Sequence, residues 1–83
     1  MIPGVKKMNN ETIVVYISKG CPYCDKVIAH LEEHDARFQV KNVSENDDAF
    51  KEWKSINPMG TPLIVKGERQ VLGFSAEKLD ALL

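Results

Sequence analysis

The chain has 83 residues, 11 Lys and Arg against 12 Asp and Glu, and a formal net charge of -1. That is enough for one compact core and no more, and with the two signs interspersed neither nucleic acid nor an anionic membrane is an expected partner. The longest strongly apolar run, Ile13 to Ile17, falls far short of the ~20 residues of a membrane-spanning helix. Residues 1–10 carry Lys6 and Lys7, lack the apolar stretch of a secretory signal and end in Asn9-Asn10. They read as a loose leader ahead of a single domain over residues 11–83.

Thr12-Ile13-Val14-Val15-Tyr16-Ile17 is β-branched and aromatic, with no polar face after its first residue. This is the pattern of a central strand buried on both sides. After Ser18-Lys19-Gly20 and Cys21-Pro22-Tyr23-Cys24, Val27, Ile28, Leu31 and Ala36 recur near helical spacing among charged residues, which predicts a first helix from about Pro22 to His34. Residues 37–43 alternate polar and apolar, as a shorter strand near an edge would. Ser44 and the acidic turn Glu45-Asn46-Asp47-Asp48 suit the start of a second helix, which carries Phe50, Trp53 and Ile56 inward as core and stops before Pro58. Leu63-Ile64-Val65-Lys66, a turn at Gly67-Glu68-Arg69 and Gln70-Val71-Leu72 form a hairpin. Gly73-Phe74 ends it, and Ser75 can cap a last helix with Leu79, Leu82 and Leu83 facing inward.

The two cysteines are too few for the disulfide framework of a small secreted domain, and a disulfide closing so short a loop adds little stability. Redox chemistry or metal binding accounts for the pair better than stapling, and a reducing cytoplasm is the expected compartment. With Cys21 at the N-cap, Pro22 fits the first helical position, since its missing N–H would have had no helical partner. Residues three apart on a helix can meet the ~4.4 to 6.8 Å Cα spacing of a disulfide. A sulfur at the N-cap also receives free backbone N–H groups and the positive end of the helix dipole. These effects, with Lys19 helping and Asp25 opposing, place the Cys21 thiol within the ~3.5 to 7.5 pKa range of activated cysteines. Cys21 is thus the expected nucleophile, and the more buried Cys24 the thiol that resolves a mixed disulfide.

A zinc half-site is the rival reading of C-x-x-C, and His30 and His34 invite it. On one continuous helix, however, His30 lies roughly 9 Å along the axis from Cys24, while ligands must come within ~2.0 to 2.3 Å of one ion. No metal set is expected from these residues, and the histidines read as polar-face residues.

The order strand, helix, strand, helix, strand, strand, helix, with C-x-x-C at the first strand-to-helix junction, reads as an α/β thioredoxin-like fold: a four-stranded mixed sheet flanked by three helices. Lys19-Gly20-Cys21-Pro22-Tyr23-Cys24, with Thr61-Pro62 before the hairpin and Gly73 before the last helix, resembles the glutaredoxins over essentially all of residues 12–83. The resemblance implies a disulfide oxidoreductase acting on protein disulfides or glutathione mixed disulfides, as a monomer, with glutathione as co-substrate and no tightly bound cofactor. It also implies a cis Thr61–Pro62 bond that leaves the Thr61 backbone free to pair with an extended substrate. Lys19, Tyr23, Thr61, Pro62, Gly73, Phe74 and Ser75 are then the binding residues. Where typical glutaredoxins carry a Gly-Gly pair, this chain has Gly73-Phe74, which is similar to the glutaredoxin-like electron donors of ribonucleotide reductase that thioredoxin reductase reduces. A [2Fe–2S] scaffold using Cys21 and glutathione is the non-enzymatic alternative, against which Pro22 counts.

Overall fold

The computed structural model describes residues 12–83; the expected leader, residues 1–10, lies outside them. Seven elements follow one another: β1 (Ile13–Ile17), α1 (Pro22–Glu33), β2 (Phe38–Asn42), α2 (Asp47–Ile56), β3 (Leu63–Lys66), β4 (Arg69–Leu72) and α3 (Ala76–Leu82). The sheet order is β2-β1-β3-β4, with β1 parallel to β2 and antiparallel to β3, and β3 antiparallel to β4. This is the βαβαββα arrangement expected from the sequence. Among the described residues no helix is long and apolar enough to cross a membrane.

Because side chains alternate across a strand, β1 serves two layers. Ile13, Val15 and Ile17 join Val27 and Leu31 of α1, Ile64, Val71, and Leu79 and Leu82 of α3 in one apolar cluster. Tyr16 points to the opposite face, where its hydroxyl donates to Glu52 Oε1 of α2 at 3.0 Å. The hairpin closes through the pair Lys66–Arg69, so the loop is only Gly67-Glu68, and Gly67 takes a φ of 61° that suits glycine.

Three expectations need correction. Ser44 does not cap α2; Asn46 does, its side chain accepting from the Ala49 N–H at 3.0 Å. Ser44, two residues earlier in the loop, accepts the Lys19 N–H instead. Phe50 and Ile56 stay exposed, and the helix buries Ala49 against the sheet. Leu83, beyond the last turn of α3, is exposed and does not face inward.

The orientation of α2 follows from the polar end of Tyr16. A buried tyrosine hydroxyl needs a partner, and Glu52 provides it while also accepting from Lys41 Nζ at 2.7 Å. The Lys41 hydrogen bond, foremost, and the Tyr16 hydroxyl hold the Glu52 carboxyl below its usual value. Burial, then the hydrogen bond and charge of Glu52, push Tyr16 up from 10.0 to about 12. A raised folded-state pKa contributes stability that is complete below the unfolded value, and this stability drains away as pH rises through about 12. Tyr16→Phe should therefore flatten the alkaline loss of stability while costing ~1 kcal/mol at neutral pH, both read from urea denaturation across the alkaline range. An unchanged alkaline limb would assign it to another group.

Candidate functional site

The chain leaves the C-terminal end of β1 through Ser18-Lys19-Gly20 and enters α1 at Cys21. Gly20 takes a φ of 76°, a left-handed conformation that residues with a Cβ rarely adopt. Cys21 is the N-cap, with extended backbone angles of φ -99° and ψ 104°, and Pro22 follows at the first helical position. Cys21 and Cys24 are joined as a disulfide with a Cα–Cα distance of 5.4 Å, within the range a disulfide tolerates. Their exposure differs: Cys24 is 2% exposed, whereas Cys21 is only half-buried.

A shallow depression beside the pair is lined by Ser18, Lys19, Gly20, Cys21, Cys24 and Asn42. Two hydrogen bonds fix its rim. The Lys19 N–H donates to Ser44 Oγ at 3.0 Å, tying the loop before the cysteines to the loop after β2. The hydroxyls of Ser18 and Thr61 lie 2.6 Å apart, tying it to the segment before β3. The Thr61–Pro62 bond is cis. From there the Gly73 N–H donates to the Pro62 carbonyl at 2.8 Å, which brings the start of α3 alongside. Ser75 caps α3, accepting the Lys78 N–H.

A family model for glutaredoxin matches residues 13–71. The chain belongs to the glutaredoxin family. Among solved structures, the glutaredoxin of Archaeoglobus fulgidus is 26% identical, with a TM-score of 0.74 over 94% of this chain and 91% of that one. The thioredoxin-like protein BC3987 is 29% identical, with a TM-score of 0.80 over 87% of this chain and all of the other. The NrdH-redoxin of Escherichia coli, at 19% identity, shares the fold, with a TM-score of 0.77 over 87% and 95% of the two chains. No curated protein matches the chain significantly. With its cysteines at disulfide distance, this glutaredoxin is a redox protein of the thioredoxin fold.

Of the residues singled out from sequence, Lys19, Thr61, Pro62 and Gly73 are linked to the cysteine loop by the hydrogen bonds just described. Tyr23 stands exposed beside Cys24, with Lys26 Nζ 5.4 Å from its ring centre. Phe74 is different: its ring meets His30 edge-on at 6.1 Å between centroids, and His30 lies nine residues along α1 from Cys21.

Three positioning residues escaped the sequence reading. Ser18 and Ser44 hold the rim; Ser18 bears no signal beyond being a loop serine, and Ser44 signals only a helix start. Trp53 was read as core, yet its indole Nε1–H donates to the Gly60 carbonyl at 3.0 Å, anchoring the loop that delivers Thr61 and Pro62. The need of a half-buried indole for an acceptor was the available clue. Trp53→Phe keeps a ring beside Phe50 but frees that carbonyl. The expected result is ~1 kcal/mol less stability together with a raised KM for a disulfide substrate and little change in kcat. Lower stability with an unaltered KM would reduce Trp53 to a structural role.

Proposed function

We propose that the protein reduces disulfides through a Cys21–Cys24 dithiol that glutathione regenerates. The observation that carries this reading is the unequal exposure of two disulfide-bonded cysteines across one helical turn. The Cys21 thiolate attacks a substrate disulfide, forming a mixed disulfide and releasing one substrate thiolate. Cys24 then attacks the Cys21 sulfur, releasing the second substrate thiol and closing the enzyme disulfide. Two glutathione molecules reopen it in the same manner and leave as glutathione disulfide. Thiolate formation at Cys21 is favoured by the N-terminal end of α1 and opposed by Asp25 in its first turn. Lys19, Tyr23 and the Thr61 backbone are the proposed contacts for glutathione or an extended substrate strand, with Pro62, Gly73 and Ser75 shaping the far wall. Protein disulfides and glutathione are thus the proposed partners, in a reducing cytoplasm.

A second reading has a specific observation in its favour. Phe74 occupies the place of the second glycine of typical glutaredoxins and its ring lies against His30, a feature that favours regeneration by thioredoxin reductase. Cys24→Ser separates the two. A glutathione-driven cycle on glutathionylated substrate needs only Cys21 and is expected to persist in this variant. A thioredoxin-reductase cycle passes two electrons through the intramolecular disulfide and is expected to stop. Coupled assays with each reductant, run on wild type and variant, decide between them: wild-type turnover with thioredoxin reductase alone would overturn the glutathione reading. Cys21→Ser should be inactive in both assays, and activity there would unseat Cys21 as nucleophile.

A further inference from the structure

The face of the molecule formed by α1 and α3 holds a second group of chemistry-bearing side chains that disulfide exchange does not use. His30 and His34 lie one turn apart on α1, and Asp80 reaches them from α3. One ligand atom from each lies within 4.8 Å of the other two. His30 Nε2 is 2.9 Å and His34 Nε2 3.6 Å from the same oxygen, Asp80 Oδ1.

We infer that His30, His34 and Asp80 form a binding site for a borderline divalent cation of the Zn2+ class, which clips α1 to α3. Two ligands at ~2.0 to 2.1 Å from a tetrahedral ion stand about 3.4 Å apart. The His34–Asp80 separation of 3.6 Å is within a few tenths of an ångström of that value, the His30–Asp80 pair need open by about half an ångström, and the two histidine nitrogens, within 4.8 Å of each other, close on the ion by a side-chain rotation. The tautomer of His34 is set for the task. Its Nδ1 lies 2.9 Å from the His30 carbonyl oxygen, which can only accept, so Nδ1 carries the proton and Nε2 presents its lone pair. A ring nitrogen held in this way by a backbone carbonyl is the usual support of a metal-ligating histidine. His30 is held by its surroundings: its side chain is 13% exposed and packs edge-on against Phe74, and its ring lies 4.4 Å from that of His34.

Two imidazoles and one carboxylate favour Zn2+, Ni2+ or Cu2+ over Mg2+ or Ca2+, which take oxygen-rich sets. The exposure of His34 and Asp80 leaves the fourth position to water. On binding, the ion replaces the proton now shared between His30 Nε2 and Asp80 Oδ1, which either leaves to solvent or moves to His30 Nδ1.

The test uses the untagged protein in its oxidised form, where the Cys21–Cys24 disulfide removes both thiols from competition. Zn2+ titrated calorimetrically should bind one ion per chain and raise the thermal midpoint. Ni2+ should broaden the amide NMR signals around residues 30, 34 and 80. His34→Gln and Asp80→Asn, both at exposed positions, should each weaken Zn2+ by at least ~10-fold and abolish the thermal shift. Absence of binding, an affinity that neither substitution alters, or one ion per two chains with a matching dimer would each overturn the intramolecular site.

Discussion

Burial of β1 on both faces obliges the sheet to lie between two helical layers, because neither the Ile13/Val15/Ile17 face nor the Tyr16 face can be left to water. At roughly 25 cal/mol per Å2 of apolar surface, the first face supplies the larger driving force, with α1 and α3 covering it. The second face is more selective. Its tyrosine hydroxyl accepts α2 only in a rotation that presents Glu52, and Lys41 of the neighbouring strand reinforces that choice. Both layers therefore take their place from five residues of one strand, and so does the loop that leaves its end.

From that loop the site is built by short tethers. Backbone and hydroxyl groups of Ser18 and Lys19 reach two other loops, and the indole of Trp53 grips a third point just before Thr61. None of these bonds is strong, each contributing about 0.5–1.5 kcal/mol net. Their value is geometric: three segments far apart in sequence meet beside Cys21 in a fixed arrangement, while the apolar cluster anchors the helix behind it.

Much of this was legible in the sequence. The buried strand, the Cys21-Pro22 helix start, the hairpin and the strand–helix order all rest on local signals that tertiary packing had no reason to override. The misreadings share a cause, which is competition between equivalent local solutions. Ser44 and Asn46 are both good helix caps, and the choice fell to Asn46 because the Lys19 N–H claims the serine hydroxyl. Phe50 and Ile56 made the more apolar stripe of α2, but Tyr16 required a carboxylate, and the helix turned accordingly. Ser18, Ser44 and Trp53 drew no attention as site-builders because their partners lie 7 to 43 residues away. The meeting of Asp80 with His30, 50 residues apart, was likewise beyond reach of any periodicity.

The unequal burial of the two sulfurs also sets a traffic rule. An incoming thiolate must approach a disulfide sulfur along the S–S axis, and only the Cys21 end faces solvent. In the proposed cycle, whatever reopens the bond enters by the door through which substrate came and went. Oxidant and reductant must therefore take turns at one sulfur, and excess of either obstructs the other. The buried partner offers little surface to a foreign molecule, so in the proposed cycle Cys24 is the sulfur less open to adducts that would strand the protein halfway.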